Sequence, residues 1–506
     1  MRYDPPAALA PLLARIDAAA AEAAVRAWAV GGTVRDALLA RPMRDLDLAV
    51  EGDARRFARA LAAALGGQYF ELHEEHDVAR IALPAATAGV ALIDVAGVAA
   101  GMEADLRRRD FTVDAMAAPI AGGEVLDPCG GLGDLRRHTV AMTAPAALDA
   151  DPLRLLRAVR LAAELGFDVA PETAGAIRER APRVLDAAPE RRRDELMRIF
   201  ALAAAAPPLR LLDALALLDV LLPEVAAGKG VAQPREHAYD VFEHNVRTVA
   251  ALDAMLYGAA SDALPAWVAD DVRATFAWRE QHLRDYFAGE VGAEHARAAL
   301  LRLAGLLHDV AKPQTRARQP DGRVRFFGHA ELGAEMTAKL MRRYRFSERE
   351  TRWVALLVEE HLRPGQLAAV GEAPTRRALA RFFRDLGDAA EALLFLSLAD
   401  AAAARGPRLQ RTAWRANVRY MNSLVVRSVE DAGIVHPLRL LTGRDIMSAF
   451  GLPEGPRIGR LLAAVEDAQG AGDVRDRDEA LALVRRLLQA EGAAGGPEAG
   501  QRARRG

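Results

Sequence analysis

Two aspartates near the amino end have the spacing that phosphate chemistry requires. Asp45 and Asp47 lie two residues apart in the strand-like run DLDLAV, so both side chains leave one face, roughly 6.5–7 Å apart along the strand. Two carboxylates placed in this way can hold a pair of divalent cations for in-line attack on a phosphate. We predict that Asp45 and Asp47 are catalytic metal ligands and that the metal is Mg²⁺. The alternative is an exposed strand end.

A glycine pair precedes these aspartates. Gly31 and Gly32 have no Cβ, so their backbone N–H groups can approach a triphosphate closely. Arg35 follows in the first turn of a predicted helix, where it can pair with phosphate oxygens. Glycines, arginine and aspartates occur in order within residues 30–47, as strand, turn, helix and strand. This order favours a nucleotide site over a simple tight turn.

A second segment also has side chains suited to a nucleoside triphosphate. Arg108 and Arg109 offer two phosphate-pairing cations, and Asp110 offers an acceptor for a ribose hydroxyl. The alternative is a solvated arginine run on a helix. Asp94 closes the strand-like run VALID and is a candidate third metal-facing carboxylate, with a strand-end hydrogen-bond acceptor as the open alternative.

A third segment has a polar edge on a predicted helix. Asp151, Arg154 and Arg157 lie at i, i+3 and i+6, and the first two project from neighbouring positions on one face. A carboxylate can accept from the exocyclic amine of cytosine or adenine, while a guanidinium donates to ring acceptors. Such an edge could bind a nucleotide base without a template strand. A surface ion pair is the alternative.

Further along the chain, four histidines and two aspartates occur in otherwise apolar helical segments. Imidazoles and carboxylates suit Mn²⁺, Fe²⁺, Ni²⁺ or Mg²⁺, and a bound water becomes a nucleophile towards phosphate. We therefore predict a second site that holds a divalent transition metal or Mg²⁺. The six candidate ligands are His244, His308, Asp309, His329, His361 and Asp400. The order of these residues resembles the HD phosphohydrolase superfamily.

The composition limits the classes of protein that fit. The chain has 506 residues, a net charge of −2 and one cysteine, Cys129. One cysteine excludes a disulfide framework and a cysteine-built zinc site. The charge balance excludes a uniformly basic RNA-coating protein. No secretory signal is recognised, and the apolar run 209–225 is interrupted by two aspartates, so we expect a cytoplasmic enzyme without a membrane span.

The elements predicted around these residues change in character along the chain. The first 130 residues alternate strand-like and helix-like runs, whereas helical periodicity dominates from about residue 145. We therefore predict an α+β protein in five parts. These are a mixed head at 1–142, which the resemblance described next implies to be a nucleotidyltransferase head, a helical neck at 143–227, an HD-type helical domain at 228–405, a C-terminal helical body at 406–490 and a disordered tail at 491–506. Residues 258–300 are predicted to be an inserted helical hairpin.

Five ordered motifs carry a family resemblance. They are GGTVRD followed by DLD, then RRRDFTVDAMA, LDPCGGLGDLRRHTV, DPLRLLRAVRLAAELGF and PERRRDEL. Together they resemble the class II CCA-adding tRNA nucleotidyltransferases and bacterial poly(A) polymerases. The resemblance implies a small polymerase-β-like head followed by the all-helical neck, HD domain and body. It also implies that CMP and AMP are added to tRNA 3′ ends, or to another RNA 3′ end, from CTP and ATP.

The sequence departs from the family pattern at places that bear on nucleotide choice. Ala150 stands where the glutamate before Asp151 is expected, although Asp149 lies one residue further back. Asp114 stands where an asparagine is expected. Three alternatives to CCA addition therefore stay open. They are an A-adding enzyme or poly(A) polymerase, an HD-type phosphohydrolase with a recognition-only head, and a noncatalytic RNA-binding protein.

Overall fold

The computed structural model describes residues 2–73, 77–87, 89–259, 264–292, 294–369, 374–430 and 439–494. The chain divides into two contact units. The first comprises Met1–Leu202 with Pro207–Pro223, and the second comprises Ala203–Ala206 with Glu224–Gly506. Most of the predicted tail lies outside the described residues, and the last helix extends four residues past its expected end, to Ala494.

The first unit contains a mixed sheet and the helices that cover it. Its strands are β1 (Arg2–Tyr3), β2 (Arg26–Val30), β3 (Asp45–Glu51), β4 (Gln68–His73), β5 (Val78–Thr87), β6 (Val90–Gly97), β7 (Ala117–Pro119), β8 (Gly123–Glu124), β9 (Thr139–Val140) and β10 (Asp168–Val169). Its helices are α1 (Ala10–Glu22), α2 (Gly32–Leu38), α3 (Ala54–Leu65), α4 (Met102–Arg107), α5 (Gly131–Arg136), α6 (Pro145–Ala150), α7 (Arg154–Leu165), α8 (Pro171–Arg180), α9 (Pro189–Ala201), α10 (Ala206–Ala214) and α11 (Leu217–Leu221), and α12 (Pro223–Ala226) follows at the unit boundary.

Strand β3 lies inside a six-stranded sheet of order β4-β5-β6-β3-β2-β7. It pairs in parallel with β6 and antiparallel with β2. Leu46 and Leu48 belong to the core that includes Phe57 of α3, whereas Ala49 packs into a second core with Trp28. Because side chains alternate along a strand, Asp45 and Asp47 lie on the face opposite Leu46 and Leu48. Burial of the leucines therefore determines which face presents the aspartates.

The second unit is helical apart from one hairpin in its described part. Its elements are α13 (Val241–Tyr257), α14 (Trp267–Thr275), α15 (Glu280–Ala288), α16 (Arg297–Leu307), α17 (Lys312–Thr315), β11 (Arg316–Arg318), β12 (Val324–Phe326), α18 (His329–Arg343), α19 (Glu348–Glu360), α20 (Arg363–Ala369), α21 (Arg376–Leu386), α22 (Ala390–Arg405), α23 (Arg411–Glu430), α24 (Gly443–Phe450), α25 (Pro456–Ala471) and α26 (Arg477–Ala494). The mixed head and helical remainder confirm the predicted α+β class. Helices α14 and α15 lie within the predicted insertion at 258–300.

Helix α16 is buried along its whole length and forms the centre of the second unit. It packs against α13, α19 and α22. Arg302 on α16 pairs with Asp253 of α13 at 2.7 Å, and Asp253 also accepts hydrogen bonds from the backbone of Ala205 and Ala206 at 2.8 and 2.9 Å. A buried charge with these partners fixes the relative positions of α13 and α16. None of the described helices has the length and apolar character needed to span a membrane.

Candidate active site and metal centre

The glycine turn of the head lies against Asp47. Gly31 has φ +59° and ψ −129°, a conformation that side chains other than glycine rarely adopt. A Cβ on Gly31 would lie 2.8 Å from a guanidinium nitrogen of Arg109, and one on Gly32 would lie 3.4 Å from Asp47 Oδ2. Thr33 Oγ1 accepts a hydrogen bond from the Asp47 backbone N–H at 2.7 Å. The turn, Arg109 and Asp47 therefore form one site.

The register of the sheet places a second carboxylate beside Asp47. Asp47 on β3 lies directly opposite Asp94 on β6, and Asp45 lies opposite Leu92. Burial raises the pKa of Asp47 to about 6, and the Asp94 charge adds to the rise, while Arg109 opposes it. A divalent cation would relieve this crowding of carboxylates, so Asp45 and Asp47 fit a metal on physical grounds.

Asp94 itself has a protein partner. Arg80 on β5 donates to both carboxylate oxygens of Asp94, at 2.7 and 2.8 Å. This bidentate pair fits the hydrogen-bond acceptor interpretation of Asp94. The Asp94 charge nevertheless contributes to the electrostatics of Asp47.

Arg35 and Asp114 form an ion pair under the glycine turn. Arg35 also donates to Asp36 at 2.9 Å, and its side chain is only 12% exposed. Arg109 donates to the backbone carbonyl of Asp114 at 3.4 Å and pairs with Asp105 at 3.2 Å. The aspartate at position 114 thus has a cationic partner that an asparagine would bind less strongly. Arg35 lies in the helix that follows the glycine turn, as predicted, and its guanidinium pairs with Asp36 and Asp114.

The structure brings two of the predicted nucleotide segments together. Asp110 is buried and pairs with Arg157 of α7 at 2.8 Å. Arg154 donates to the backbone carbonyls of Arg108 and Ala147, at 3.3 and 2.9 Å. The Arg108 side chain is 68% exposed and pairs with Asp105 at 3.3 Å. The start of α7 therefore lies against the segment that follows α4.

Asp151 and Asp149 have different partners. Asp151 accepts from the backbone N–H of Leu153 at 3.0 Å and pairs with Arg191 of α9 at 2.7 Å. Asp149 instead pairs with Arg180 at 2.9 Å and with Arg183. Asp149 is therefore held by α8 and the turn after it. Asp151 lies in extended backbone (φ −147°, ψ 112°) between α6 and α7, so the prediction that one helix carries Asp151, Arg154 and Arg157 is wrong for Asp151. Our sequence reasoning missed Arg191, although PERRRDEL contains it.

In the second unit, the six predicted ligands form one cluster, in which the four histidines lie around Asp309 and Asp400 lies beside two of them. His329 Nε2 and His361 Nε2 lie 3.4 and 3.8 Å from Asp309 Oδ1, while His244 Nε2 and His308 Nε2 lie 3.4 and 3.3 Å from Oδ2. Asp400 Oδ1 is 3.1 Å from His244 Nε2 and 3.8 Å from His308 Nε2. The ligands come from α13, the ends of α16 and α19, the start of α18, and α22.

Three of these histidines are oriented in the same way. Nδ1 of His308, His329 and His361 lies 2.9, 2.6 and 2.7 Å from the backbone carbonyl three residues earlier. A carbonyl only accepts, so Nδ1 carries the proton and Nε2 keeps its lone pair. This is the tautomer that a metal ligand requires.

Charge and burial at the cluster also fit a cation. Among the described residues, His329 Nε2 is buried without a hydrogen-bond partner. Burial is the largest cause that lowers the pKa of His361 to about 4, so this imidazole is neutral at pH 7. Burial alone would raise the pKa of Asp309, but Lys312 and the histidines hold it well below its usual range. Neutral imidazoles and ionised carboxylates are the forms that bind metals.

Lys312 is a member of the cluster that the sequence analysis did not single out. Its Nζ lies 2.5 Å from Asp309 Oδ2 and donates to Gln233 Oε1 at 2.7 Å. Its position three residues after Asp309 was the available signal, since that spacing brings side chains together on a helical turn. A cavity of about 300 Å³ opens from the cluster and is lined by Asp309, Lys312 and His329, among others.

Comparisons with known proteins agree with this architecture. The poly A polymerase head domain matches residues 27–141, the probable RNA and SrmB-binding site of polymerase A matches 166–229, and the HD domain matches 282–405. Among solved structures, the CCA-adding enzyme of Bacillus stearothermophilus in complex with CTP has a TM-score of 0.61 at 21% identity. That likeness covers 96% of this chain and 100% of that one. The fold and sites thus define a polymerase-type nucleotidyltransferase with an HD-type helical unit.

Two relatives match along almost their full length. The A-adding tRNA nucleotidyltransferase of Deinococcus radiodurans is 37% identical over 91% of this chain and 95% of its own length. The CC-adding tRNA nucleotidyltransferase of Thermus thermophilus is 35% identical over 90% of this chain and 93% of its own. The chain belongs to the tRNA nucleotidyltransferase family. This finding confirms the resemblance of the five motifs and the prediction of a nucleotidyltransferase.

Proposed function

We propose that the chain adds CMP and AMP to tRNA 3′ ends, using CTP and ATP, at the site formed by Asp45, Asp47 and the Gly31-Gly32 turn. The observation that carries this proposal is the position of Asp47, which lies against the turn and Arg109. The terminal RNA hydroxyl attacks the α-phosphorus, a new P–O bond forms, and pyrophosphate leaves. Arg109, which lies beside Gly31, would bind the departing phosphates.

The metal at this site is proposed to be Mg²⁺. Asp45 and Asp47 would hold it, and it would neutralise charge on the transferring phosphate. Positioning and electrostatic stabilisation account for most of the rate in such reactions. The substrates ATP, CTP and tRNA favour a cytoplasmic location. We also propose the division into five parts, with boundaries after residues 142, 227, 405 and 490.

Nucleotide choice is assigned to Asp151, Arg154 and Arg157, with Arg191 holding Asp151. An aspartate accepts from the 4-amino group of cytosine or the 6-amino group of adenine, whereas uracil and guanine carry a carbonyl oxygen at the corresponding position. CTP and ATP should therefore be accepted, and UTP and GTP rejected. Addition of AMP alone is the second candidate. The identities of 37% to an A-adding relative and 35% to a CC-adding relative do not separate these activities, so the assay must do so.

An extension assay on tRNA that lacks one, two or three terminal nucleotides tests these candidates. Wild type should extend all three with CTP and ATP, and Asp45→Asn/Asp47→Asn should lose at least 10³-fold in rate. Asp17→Asn, an exposed aspartate on α1, is the matched control and should keep the wild-type rate. Extension only of tRNA lacking the last nucleotide would establish A addition. No incorporation by wild type would refute the proposal.

A metal-dependent phosphohydrolase is the second proposed activity, and it is supported by the ligand cluster around Asp309. Water would add to the phosphorus of a 2′,3′-cyclic phosphate, one P–O(ribose) bond would break, and the ribose oxygen would take a proton. His308→Ala should abolish hydrolysis and remove bound metal, measured by elemental analysis. The Asp45→Asn/Asp47→Asn variant should retain both. Equal metal content in wild type and His308→Ala would contradict this assignment.

A further inference from the structure

The β11–β12 hairpin forms one wall of the cavity beside the metal cluster. It follows Asp309 and Lys312 in the chain and ends just before His329. Arg316 pairs with Phe326 across the hairpin, and Arg318 pairs with Val324. Residues 324–327 all line the cavity of about 300 Å³ that also contains Asp309 and His329. Any molecule that reaches the cluster through this cavity therefore contacts the hairpin.

Three arginines of the hairpin have no acidic partner within the described ranges. Arg316, Arg318 and Arg325 are all exposed. Nearby, Arg323 pairs with Asp321 at 3.4 Å, and elsewhere in the unit Arg342 pairs with Glu348 at 2.8 Å. Three like charges on a two-stranded ribbon repel one another, and phosphate groups would relieve that repulsion. The pairing register places Arg316 and Arg318 on one face of the ribbon and Arg325, opposite Ala317, on the other face. The hairpin therefore carries cations on both faces, and Arg325 is the one of the three that lines the cavity.

An exposed aromatic ring lies next to these cations. Phe327 is 71% exposed and lines the cavity beside the metal cluster. Leu362, which is 39% exposed, lines the same cavity. A single exposed apolar residue is ordinary. An exposed aromatic ring beside arginines is typical of surfaces that bind single-stranded nucleic acid. On such surfaces the bases stack on the aromatic rings and the arginines bind the phosphates of the backbone.

We propose that this hairpin binds the last nucleotides of single-stranded RNA, so that the metal cluster acts on an RNA 3′ end with a terminal phosphate rather than on a free mononucleotide. The inference rests on the proposed phosphohydrolase function. Arg325 lines the cavity and would bind the terminal phosphate, whereas Arg316 and Arg318 lie outside the cavity lining and would bind further phosphates along a chain. Phe327 would stack on a base near the terminus.

Binding without metal tests the hairpin independently of catalysis. A fluorescein-labelled RNA hexamer with a 3′-phosphate, which the head cannot extend, is titrated in EDTA against the full-length chain. Arg316→Gln/Arg318→Gln/Arg325→Gln should weaken binding about tenfold and lower the salt slope by about two. Phe327→Ala should weaken binding about tenfold with an unchanged slope.

A matched control and a cross-link locate the contact. Arg349→Gln/Arg419→Gln/Arg485→Gln removes three exposed arginines from helices of the same unit and should bind like wild type. A 4-thiouridine at the penultimate position should cross-link to residues 316–327, identified by mass spectrometry. Wild-type affinity in both hairpin variants, with no adduct in this segment, would overturn the inference and leave a protein partner as the ligand of the patch.

Hydrolysis rates on an RNA hexamer and on a mononucleotide distinguish a failure of this inference from a failure of the phosphohydrolase proposal. Wild type should cleave the cyclic phosphate of an RNA hexamer at least tenfold more efficiently than a nucleoside 2′,3′-cyclic phosphate. The triple arginine variant should lose that preference while its rate on the mononucleotide stays the same. No hydrolysis of either substrate by wild type would refute the phosphohydrolase proposal, and equal rates on both would refute the RNA-end inference alone.

Discussion

At the scale of single residues, the head places an acidic group where the fold disfavours its charge. Asp47 is crowded by Asp94 and largely removed from solvent, and its pKa rises to about 6. The metal-free folded state therefore binds this proton more tightly than the unfolded state does. The ionised form of Asp47 therefore lowers the stability of the metal-free protein, and a cation bound at the proposed site would offset that cost.

Replacement of Asp47 by asparagine should stabilise the metal-free protein and abolish extension. Because the folded-state pKa is raised, the contribution of Asp47 to stability is complete below about pH 4 and is lost as the pH rises through about 6. In EDTA at pH 7.5, the free energy of unfolding should therefore be higher for Asp47→Asn than for wild type by roughly 1–3 kcal/mol, measured from urea unfolding curves. The difference should vanish at pH 4. A higher midpoint for wild type at pH 7.5 would contradict the electrostatic account.

Gly31→Ala should impair nucleotide binding more than folding. The added Cβ would meet the Arg109 guanidinium at 2.8 Å, and φ +59° with ψ −129° is strained for alanine. We expect a destabilisation of about 1–3 kcal/mol and a KM for ATP raised at least tenfold, because Arg109 must move. Gly66→Ala, at a helix end with φ +70° and open space around it, is the control for backbone strain alone. Equal KM values for the two variants would count against a role of the turn.

At the scale of elements, the ends of helices position three of the six candidate metal ligands. His308 and His361 cap the carboxyl ends of α16 and α19, and His329 begins α18. The carbonyls at these positions orient the rings. The positions of these three histidines therefore depend on where the helices begin and end. Local capping interactions help to determine those helix ends.

Loss of the cap on α19 should lower stability without loss of extension. Ser347 accepts from the Glu350 backbone N–H and forms a capping box, while the buried Glu350 also contacts His295 Nδ1 at 2.6 Å. Ser347→Ala should lower the free energy of unfolding by about 1 kcal/mol, measured as a shift in the urea midpoint. Ser423→Ala, an exposed serine on α23, should shift it by less than about 0.5 kcal/mol. Equal shifts would exclude the capping box as the cause.

At the scale of the whole molecule, each site is built within one contact unit. The carboxylates of the head lie in the first unit, and all six ligands around Asp309 lie in the second. No ligand of either predicted set is contributed by the other unit.

This separation predicts independent effects of mutations. A chain with Asp47→Asn and His308→Ala should lose extension to the same extent as Asp47→Asn and bound metal at the cluster to the same extent as His308→Ala. Sites that share no partner residues give additive free energies. A coupling above about 0.5 kcal/mol between the two substitutions, from a double-mutant cycle on extension rates, would show that the sites communicate.

Local pattern was enough to predict several features of the chain. Alternation in β3 predicts that Asp45 and Asp47 share a face, because side chains on a strand repeat every two residues. The helical periodicity after residue 145 predicts the α+β division, since burial follows that period. The order of His244, His308, His329 and His361 predicts a shared cluster through the family resemblance.

Other features depend on partners that are distant in sequence. Nothing near Asp149 indicates that Arg180 and Arg183 hold it, or near Asp94 that Arg80 binds both of its oxygens. The choice between Asp149 and Asp151 depends on how α7, α8 and α9 pack. The sequence by itself determined which residue types stand ready for phosphate and metal chemistry, because periodicity and composition are local. Only the tertiary structure decided which of them are neutralised by arginines and which face a cavity, because ion pairing depends on distances that packing sets.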